Sequence, residues 1–209
     1  SKFSHLNRFA HVVTLLCIYA NPVDSSQSAS LIKSELRKRF RSEREFHLSE
    51  CSWQHLLDSK EIKSAEVLAS YYSYGSEPET SELNNSLIQS GKTLLLPRRL
   101  ADNDLDWIIW SGKDEDLEID GNLKSPKGES FKGKIDVVIV PALHVDRQGN
   151  RLGQGGGSYD RALAKLNAWK VALVYSGELT SESLPVESFD CKVDAAATPE
   201  ILVRFTAKS

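Results

Sequence analysis

The sequence lacks several features that define specialised classes of protein. It has no methionine and only three cysteines, Cys17, Cys51 and Cys191, which are widely spaced. They form neither a CxxC zinc motif nor a disulfide framework, and so few cysteines favour a reducing compartment. No apolar run reaches the roughly 20 residues needed to cross a bilayer. These absences predict a cytoplasmic protein that is not a zinc module, a disulfide-rich domain or a membrane-spanning chain.

An excess of positive charge is also missing. The formal net charge is −3 at pH 7, whereas binding to nucleic acid calls for a basic face. The apolar content of 40% and charged content of 26% are those of an ordinary globular protein. The sequence therefore predicts no nucleic-acid or membrane partner, and a monomer is expected.

The N-terminal segment stands apart from the rest of the chain. Residues 9–20 (FAHVVTLLCIYA) are apolar, and residues 21–30 form a linker rich in proline and serine. The apolar run resembles part of a signal or transit peptide, although an upstream-extended start or an additional strand explains it equally well. We expect residues 1–29 to be an extension or linker and residues 30–209 to form one domain.

Apolar β-branched runs alternate with amphipathic segments along that domain. Helices are predicted over residues 30–47, 49–62, 81–90 and 158–166, the third with Thr80 or Ser81 as its N-cap. Strands are predicted over residues 66–74, 93–96, 106–110, 137–140 and 170–175, with a long loop over residues 112–134. This order indicates an α/β fold, a three-layer sandwich with a mainly parallel sheet and helices on both faces.

The richest segment is residues 135–161, IDVVIVPALHVDRQGNRLGQGGGSYDR. A buried strand leads into a glycine run and then into a helix, whose N-terminus favours anions. Arg151 and Arg161 add positive charge, and Asp160 is a candidate for a divalent cation. The run matches neither the Walker A loop nor the dinucleotide fingerprint GxGxxG, so it predicts a phosphate site of another kind. A tight packing turn is the simpler alternative.

The order of residues in this segment resembles a known signature. Proline, aspartate, Gly-x-Arg-Leu-Gly-x-Gly-Gly-Gly and Tyr-Asp-Arg recur in the same order in the 5-formyltetrahydrofolate cyclo-ligase family. The matching residues are Pro141, Asp146, Gly149, Arg151, Leu152, Gly153, Gly155, Gly156, Gly157, Tyr159, Asp160 and Arg161. The departures are Ala142, His144-Val145 and Ser158, where the family carries glycine, an aromatic residue and tyrosine.

The resemblance implies functional roles for individual residues. Lys33 and Arg37 lie one helical turn apart, in the position of the family's first nucleotide motif; otherwise they would be read as a solvated face. The implied ATP-binding residues are Lys33, Ser34, Glu35, Leu36, Arg37, Arg151, Leu152, Gly153, Gln154, Gly155, Gly156, Gly157, Ser158 and Tyr159. The implied folate-binding residues are Tyr72, Glu77, Gln154 and Ser158. Asp160 and Asp190 are implied ligands of Mg²⁺, and Lys33, Arg151 and Asp160 are the implied catalytic residues.

The implied reaction is the ATP-dependent closure of 5-formyltetrahydrofolate to 5,10-methenyltetrahydrofolate through a phosphorylated formyl group. One alternative is a non-catalytic folate- or nucleotide-binding protein of the same fold, because Ser125, Ser158 and Glu178 depart from the family pattern. Another is a protein like a sugar-phosphate isomerase or a CoA-transferase. Ligands gather at the carboxyl ends of strands in such sheets, so we expect Glu77, Arg98 and the glycine loop to meet in one cleft.

Overall fold

The computed structural model describes residues 25–44, 52–120 and 123–205. Within these ranges no helix is long and apolar enough to cross a membrane. The apolar run at residues 9–20 lies outside the described residues, as do Cys17 and Cys51.

Five α-helices are present in the described ranges: α1 (Ser25–Arg44), α2 (Gln54–Leu57), α3 (Lys60–Ser64), α4 (Ser81–Gln89) and α5 (Ser158–Ala164). Helix α1 begins before residue 30, where the linker was predicted to end, because serine, glutamine and alanine are all tolerated in a helix. The helix predicted over residues 49–62 is confirmed only in part: residues 49–51 lie outside the described residues, and the described part contains two short helices, α2 and α3. They separate at Asp58 and Ser59, and the Ser59 hydroxyl caps α3 by accepting from the backbone N–H of Ile62.

Twelve strands are present in the same ranges: β1 (Val67–Ala69), β2 (Thr93–Arg99), β3 (Leu105–Ile109), β4 (Leu117–Asp120), β5 (Leu123–Pro126), β6 (Val137–Pro141), β7 (His144–Asp146), β8 (Arg151–Leu152), β9 (Trp169–Leu173), β10 (Leu179–Thr180), β11 (Ala195–Ala197) and β12 (Leu202–Arg204). The main sheet has seven strands in the order β12-β11-β9-β6-β1-β2-β3. Its five inner strands run parallel, and β12 and β3 pair antiparallel at the two edges.

The core lies on both faces of this sheet. Side chains alternate along each strand, so Val137 and Ile139 enter one apolar cluster while Val138 and Val140 enter the other. The first cluster includes buried residues of α2, α3 and α4, and the second includes residues of α5. The predicted three-layer α/β fold is confirmed.

Helix α1 is held against the domain by its C-terminal half. The Phe40 ring stacks on His144 with centroids 3.4 Å apart. The buried guanidinium of Arg44 donates to both carboxylate oxygens of Glu178, at 2.6 and 2.7 Å. Glu178, which stands where the family often has glutamine, therefore supplies the counter-charge that a buried arginine requires.

Two predicted elements near the cleft differ from the structure. The strand predicted over residues 66–74 ends at Ala69, and beyond it the carbonyl of Tyr71 accepts from the Thr80 hydroxyl and the Asn84 amide rather than from a neighbouring strand. The loop predicted over residues 112–134 contains a hairpin, β4–β5, which lies beside β2. Its sequence is rich in charged and turn residues, so the apolar pattern that identifies a strand is weak.

Candidate active site

A cleft of about 420 Å³ opens at the carboxyl ends of the inner strands. The residues that follow β1 and those of the glycine loop before α5 line it, together with Ser30, Lys33 and Arg37 of α1. The segment between β10 and β11 contributes Glu187, Phe189 and Asp190, and the β4–β5 hairpin contributes Lys124. The cleft therefore collects residues that are far apart in the sequence.

The glycine loop has a backbone conformation that residues with a side chain rarely adopt. Gly157 precedes α5 with φ of 67°, and Gly155 has φ of 108°. A Cβ atom on Gly153 would lie 2.5 Å from Nη1 of Arg151. The loop backbone thus packs directly on an arginine side chain and leaves its outer face open to the cleft.

Two cations of α1 face this loop. Arg37 donates from Nε to the carbonyl of Gly153 at 2.9 Å, and burial lowers the pKa of its guanidinium. Lys33 is buried, and its Nζ lies 2.7 Å from Glu187 and 2.5 Å from Asp190. Two carboxylates thus surround the ammonium group of this buried lysine in the structure.

A third cation lies under the loop. Arg151 donates to Asp160 at 2.9 Å and to the carbonyl of Pro141 at 3.2 Å. Asp160 also accepts from the backbone N–H of Cys191 at 3.3 Å. We call this part of the cleft the glycine-loop end; it consists of residues 153–157 with Lys33, Arg37, Arg151, Asp160, Glu187 and Asp190.

The other part of the cleft, the tyrosine end, consists of Tyr72, Tyr74, Glu77 and Lys124. The Glu77 carboxylate accepts from the backbone N–H of Tyr74 at 3.3 Å. Loss of water around this carboxylate raises its pKa to about 7, although bonds from Tyr74 and Gln154 oppose the shift. Because Gln154 belongs to the glycine loop, Glu77 stands where the two ends meet.

Glu77, Glu79 and Thr80 belong to one turn before α4 but make different hydrogen bonds. Thr80 precedes α4 as predicted, but its hydroxyl donates to the carbonyl of Tyr71 at 2.8 Å. The carboxylate of Glu79 accepts from the backbone N–H groups of Thr80 and Ser81 instead. Glu79 therefore caps the helix, which leaves Glu77 for the cleft.

Some predicted site residues lie away from the cleft. Ser34 and Glu35 are exposed, while Leu36 and Leu152 pack with Phe40 in a separate apolar cluster. The expectation that Arg98 faces the cleft is wrong. Arg98 donates to Asp106 and to the carbonyl of Gly128, and its neighbour Arg99 lines the cleft instead. Side chains alternate along a strand, so a shift of one residue changes the face.

The other predicted residues line one cleft. From the nucleotide set these are Lys33, Arg37, Arg151, Gly153, Gln154, Gly155, Gly156, Gly157, Ser158 and Tyr159, and from the folate set Tyr72 and Glu77. Glu187, Phe189 and Lys124 also line it but were not found from the sequence. No local pattern marks them, because each becomes part of the site only through the packing of distant segments.

The fit of a magnesium ion rests on the carboxylates of this end. Within the described ranges, no group of three or more His, Cys, Asp and Glu side chains is placed to hold a metal. Asp160 is paired with Arg151, and Asp190 with Lys33. Mg²⁺ takes oxygen ligands and commonly uses only one or two carboxylates beside phosphate and water. Both carboxylates are thus paired with cations in the structure, and a Mg²⁺ ion here would need phosphate or water oxygens as further ligands.

Comparison with known proteins identifies the family. Residues 26–199 match the model of the 5-formyltetrahydrofolate cyclo-ligase family. The 5-formyltetrahydrofolate cyclo-ligase of Mycolicibacterium smegmatis is 35% identical over 150 residues, which cover 66% of this chain and 75% of the relative. The Haemophilus influenzae protein of the same name is 29% identical over 79% of this chain and 95% of the relative. The solved structure of Aquifex aeolicus 5,10-methenyltetrahydrofolate synthetase superposes with a TM-score of 0.71 at 26% identity, covering 85% of this chain and 95% of that one.

Proposed function

The chain belongs to the 5-formyltetrahydrofolate cyclo-ligase family, and on that basis we propose that it closes 5-formyltetrahydrofolate to 5,10-methenyltetrahydrofolate at the expense of ATP. The observation that carries this proposal is the composition of one cleft. It joins a cation-flanked glycine loop to Glu77, a carboxylate that Gln154 of the same loop contacts. A phosphate donor and a reduced folate are the two substrates that such a cleft would bring together.

The chemistry needs activation of a poor leaving group. A formamide oxygen does not depart readily, so transfer of the γ-phosphoryl group of ATP onto it makes a phosphorylated intermediate. N10 of the folate then attacks the formyl carbon and loses its proton, and the C–O bond breaks so that phosphate leaves. ADP and phosphate are the by-products. Phosphoryl transfer asks a protein chiefly for positioning and neutralisation of charge.

The glycine-loop end offers that neutralisation. We assign Lys33, Arg37 and the backbone N–H groups of residues 153–157 to the triphosphate, with the N-terminus of α5 contributing its dipole. Arg151 is fixed by Asp160 and by the carbonyl of Pro141, so it is held in place before substrates bind. Binding of ATP would replace Glu187 and Asp190 by phosphate oxygens as the partners of Lys33.

Magnesium and the folate ring complete the assignment. Asp160 and Asp190 are the residues that would hold Mg²⁺, which when bound supplies positive charge to the phosphates. Glu77 would accept from paired N–H donors of the pterin, since a carboxylate offers two acceptor oxygens. Tyr72 would border the ring, and Ser158 would leave space where the family carries a tyrosine.

A single assay tests the function. Purified protein with 5-formyltetrahydrofolate, ATP and Mg²⁺ should produce the absorbance of the methenyl product together with one ADP for each turnover. Omission of ATP should abolish the signal. Binding of both compounds without any product would support a non-catalytic binding protein instead.

The cytoplasmic location and the monomeric state of the protein remain predictions. Size-exclusion chromatography with light scattering checks the monomeric state.

A further inference from the structure

Lys124 is a cation of the tyrosine end for which the proposed reaction has no use. The β4–β5 hairpin lies beside β2 and brings Lys124 to the wall of the cleft. Its Nζ donates to the Tyr72 hydroxyl and to Asp114, both at 3.0 Å. The same atom lies 4.4 Å from the centroid of the Tyr72 ring. This lysine is therefore held at a defined point of the cleft.

The support for Lys124 reaches into the core. The Tyr72 ring packs edge-on against Trp110 with centroids 6.0 Å apart. Trp110 is buried, and its indole N–H donates to the carbonyl of Lys113 at 3.0 Å. A surface lysine ordinarily loses side-chain conformational entropy when it binds an anion. Lys124 has already lost part of that entropy on folding, so less is lost on binding.

The ammonium group retains binding capacity for an anion. An ammonium has three N–H donors, and the contacts of Lys124 with Tyr72 and Asp114 occupy two of them. The side chain of Asp114 is 65% exposed, so this counter-ion can exchange with a ligand carboxylate at little cost. The hydroxyl of Tyr72 adds a neutral donor next to the same point.

We propose that Lys124, supported by Tyr72, binds the glutamate carboxylate of the folate substrate. This inference rests on the proposed function, because it takes a reduced folate as the ligand. The cations of the glycine-loop end are needed for the triphosphate, and Glu77 for the pterin. The tail carboxylates are the anionic part of a reduced folate. Lys124 lines the same cleft and bonds none of the carboxylates of the glycine-loop end, so it is placed to receive them.

Two ligands that differ only in the tail test the proposal. Equilibrium binding of 5-formyltetrahydrofolate and of 5-formyltetrahydropteroate, which lacks the glutamate, is measured by calorimetry. The wild-type protein should bind the folate about three- to tenfold more tightly, the range expected for one partly exposed charged contact. Lys124→Ala should remove this difference and leave the dissociation constant of the pteroate unchanged.

Two further variants distinguish a direct contact of Lys124 with the ligand from a general effect of removing one positive charge. Lys127 directly follows β5. Its Nζ donates to the backbone carbonyl of Glu115, and the residue does not line the cleft. Lys127→Ala removes the same charge and should leave both dissociation constants unchanged. Lys124→Arg should keep most of the preference for the folate.

The outcomes distinguish this proposal from the proposed function. Equal weakening of both ligands by Lys124→Ala would overturn the tail site, and so would an unchanged preference for the folate. Loss of the preference in that variant supports the tail site even if the wild-type protein forms no methenyl product. That last result would overturn the cyclo-ligase activity alone.

Discussion

The two ends of the cleft are built in opposite ways. The glycine-loop end is dense in charge, and each of its cations is already bonded to a carboxylate or a carbonyl. The tyrosine end has aromatic rings, a single lysine and Glu77, whose pKa burial raises to about 7. Under the proposed function, one end would exchange its internal ion pairs for the triphosphate, while the other would receive the pterin ring. The difference fits two substrates of different chemistry in one cleft.

The largest expected effect is on the free energy of unfolding, through the ion pair of Arg44 and Glu178 that holds α1 against the domain. Glu178→Ala would leave Arg44 buried without its counter-charge, which costs about 3–5 kcal/mol of unfolding free energy. Denaturant unfolding of both proteins measures this loss. Glu178→Gln retains hydrogen bonding and should cost less. Equal stability of wild type and Glu178→Ala would show that α1 is held by other contacts.

Lys33→Ala should impair the kinetics with ATP more than the kinetics with folate. Loss of a charged contact to phosphate costs about 2–3 kcal/mol, so kcat/KM for ATP should fall about 30- to 150-fold, with less effect on the folate. The thermal midpoint should also fall, because Glu187 and Asp190 lose their cation. Lys38→Ala, an exposed lysine of the same helix, is the control. Unchanged ATP kinetics would make Lys33 a structural residue only.

Asp160→Asn tests the charge of the glycine-loop end while preserving size. We expect turnover to fall about tenfold or more and the required Mg²⁺ concentration to rise, because one carboxylate near the phosphates is lost. Activity is measured across a magnesium titration. Normal turnover with a normal magnesium requirement would restrict Asp160 to its pairing with Arg151.

Glu77→Gln should weaken folate binding about tenfold, because the amide offers the pterin only one acceptor oxygen, while the affinity for ATP stays constant. It should also change the dependence of stability on pH. The pKa of Glu77 is raised from 4.5 to about 7 on folding, so its stabilising contribution is present below pH 4.5 and is lost as the pH rises through 7. Thermal midpoints between pH 4 and 8 should fall more for wild type than for Glu77→Gln. Parallel curves would contradict the buried, protonated carboxylate.

The smallest effect is expected at Ser158, which lines the cleft where the family carries a tyrosine. An aromatic wall adds about 0.5–1.5 kcal/mol, so Ser158→Tyr should tighten folate binding by about tenfold at most. Titration with 5-formyltetrahydrofolate and, separately, with ATP measures the effect. Loss of activity in this variant would mean that another group, such as the nearby Tyr159, already fills the space.

Local patterns in the sequence determined the layers of the fold and the glycine-loop end. The alternation of strands and helices predicted the parallel sheet with helices on both faces, and the motif from Pro141 to Arg161 marked the loop. Lys33 and Arg37 were predicted because their one-turn spacing resembles the family's first nucleotide motif; without that resemblance they would be read as a solvated face. In each case the residues that act together are close along the chain, so their spacing carries the information.

Only the tertiary structure decided which carboxylates pair with Lys33 and Arg44 and which residues form the tyrosine end. Glu187 and Asp190 meet Lys33 across more than 150 positions of sequence, and Arg44 meets Glu178 across 134. Lys124 reaches Tyr72 because an unpredicted hairpin lies beside β2, and Arg99 replaces Arg98 through the register of that strand. Such contacts depend on how separate segments pack, which no local spacing records. The raised pKa of Glu77 has the same origin, because burial is a property of the folded chain.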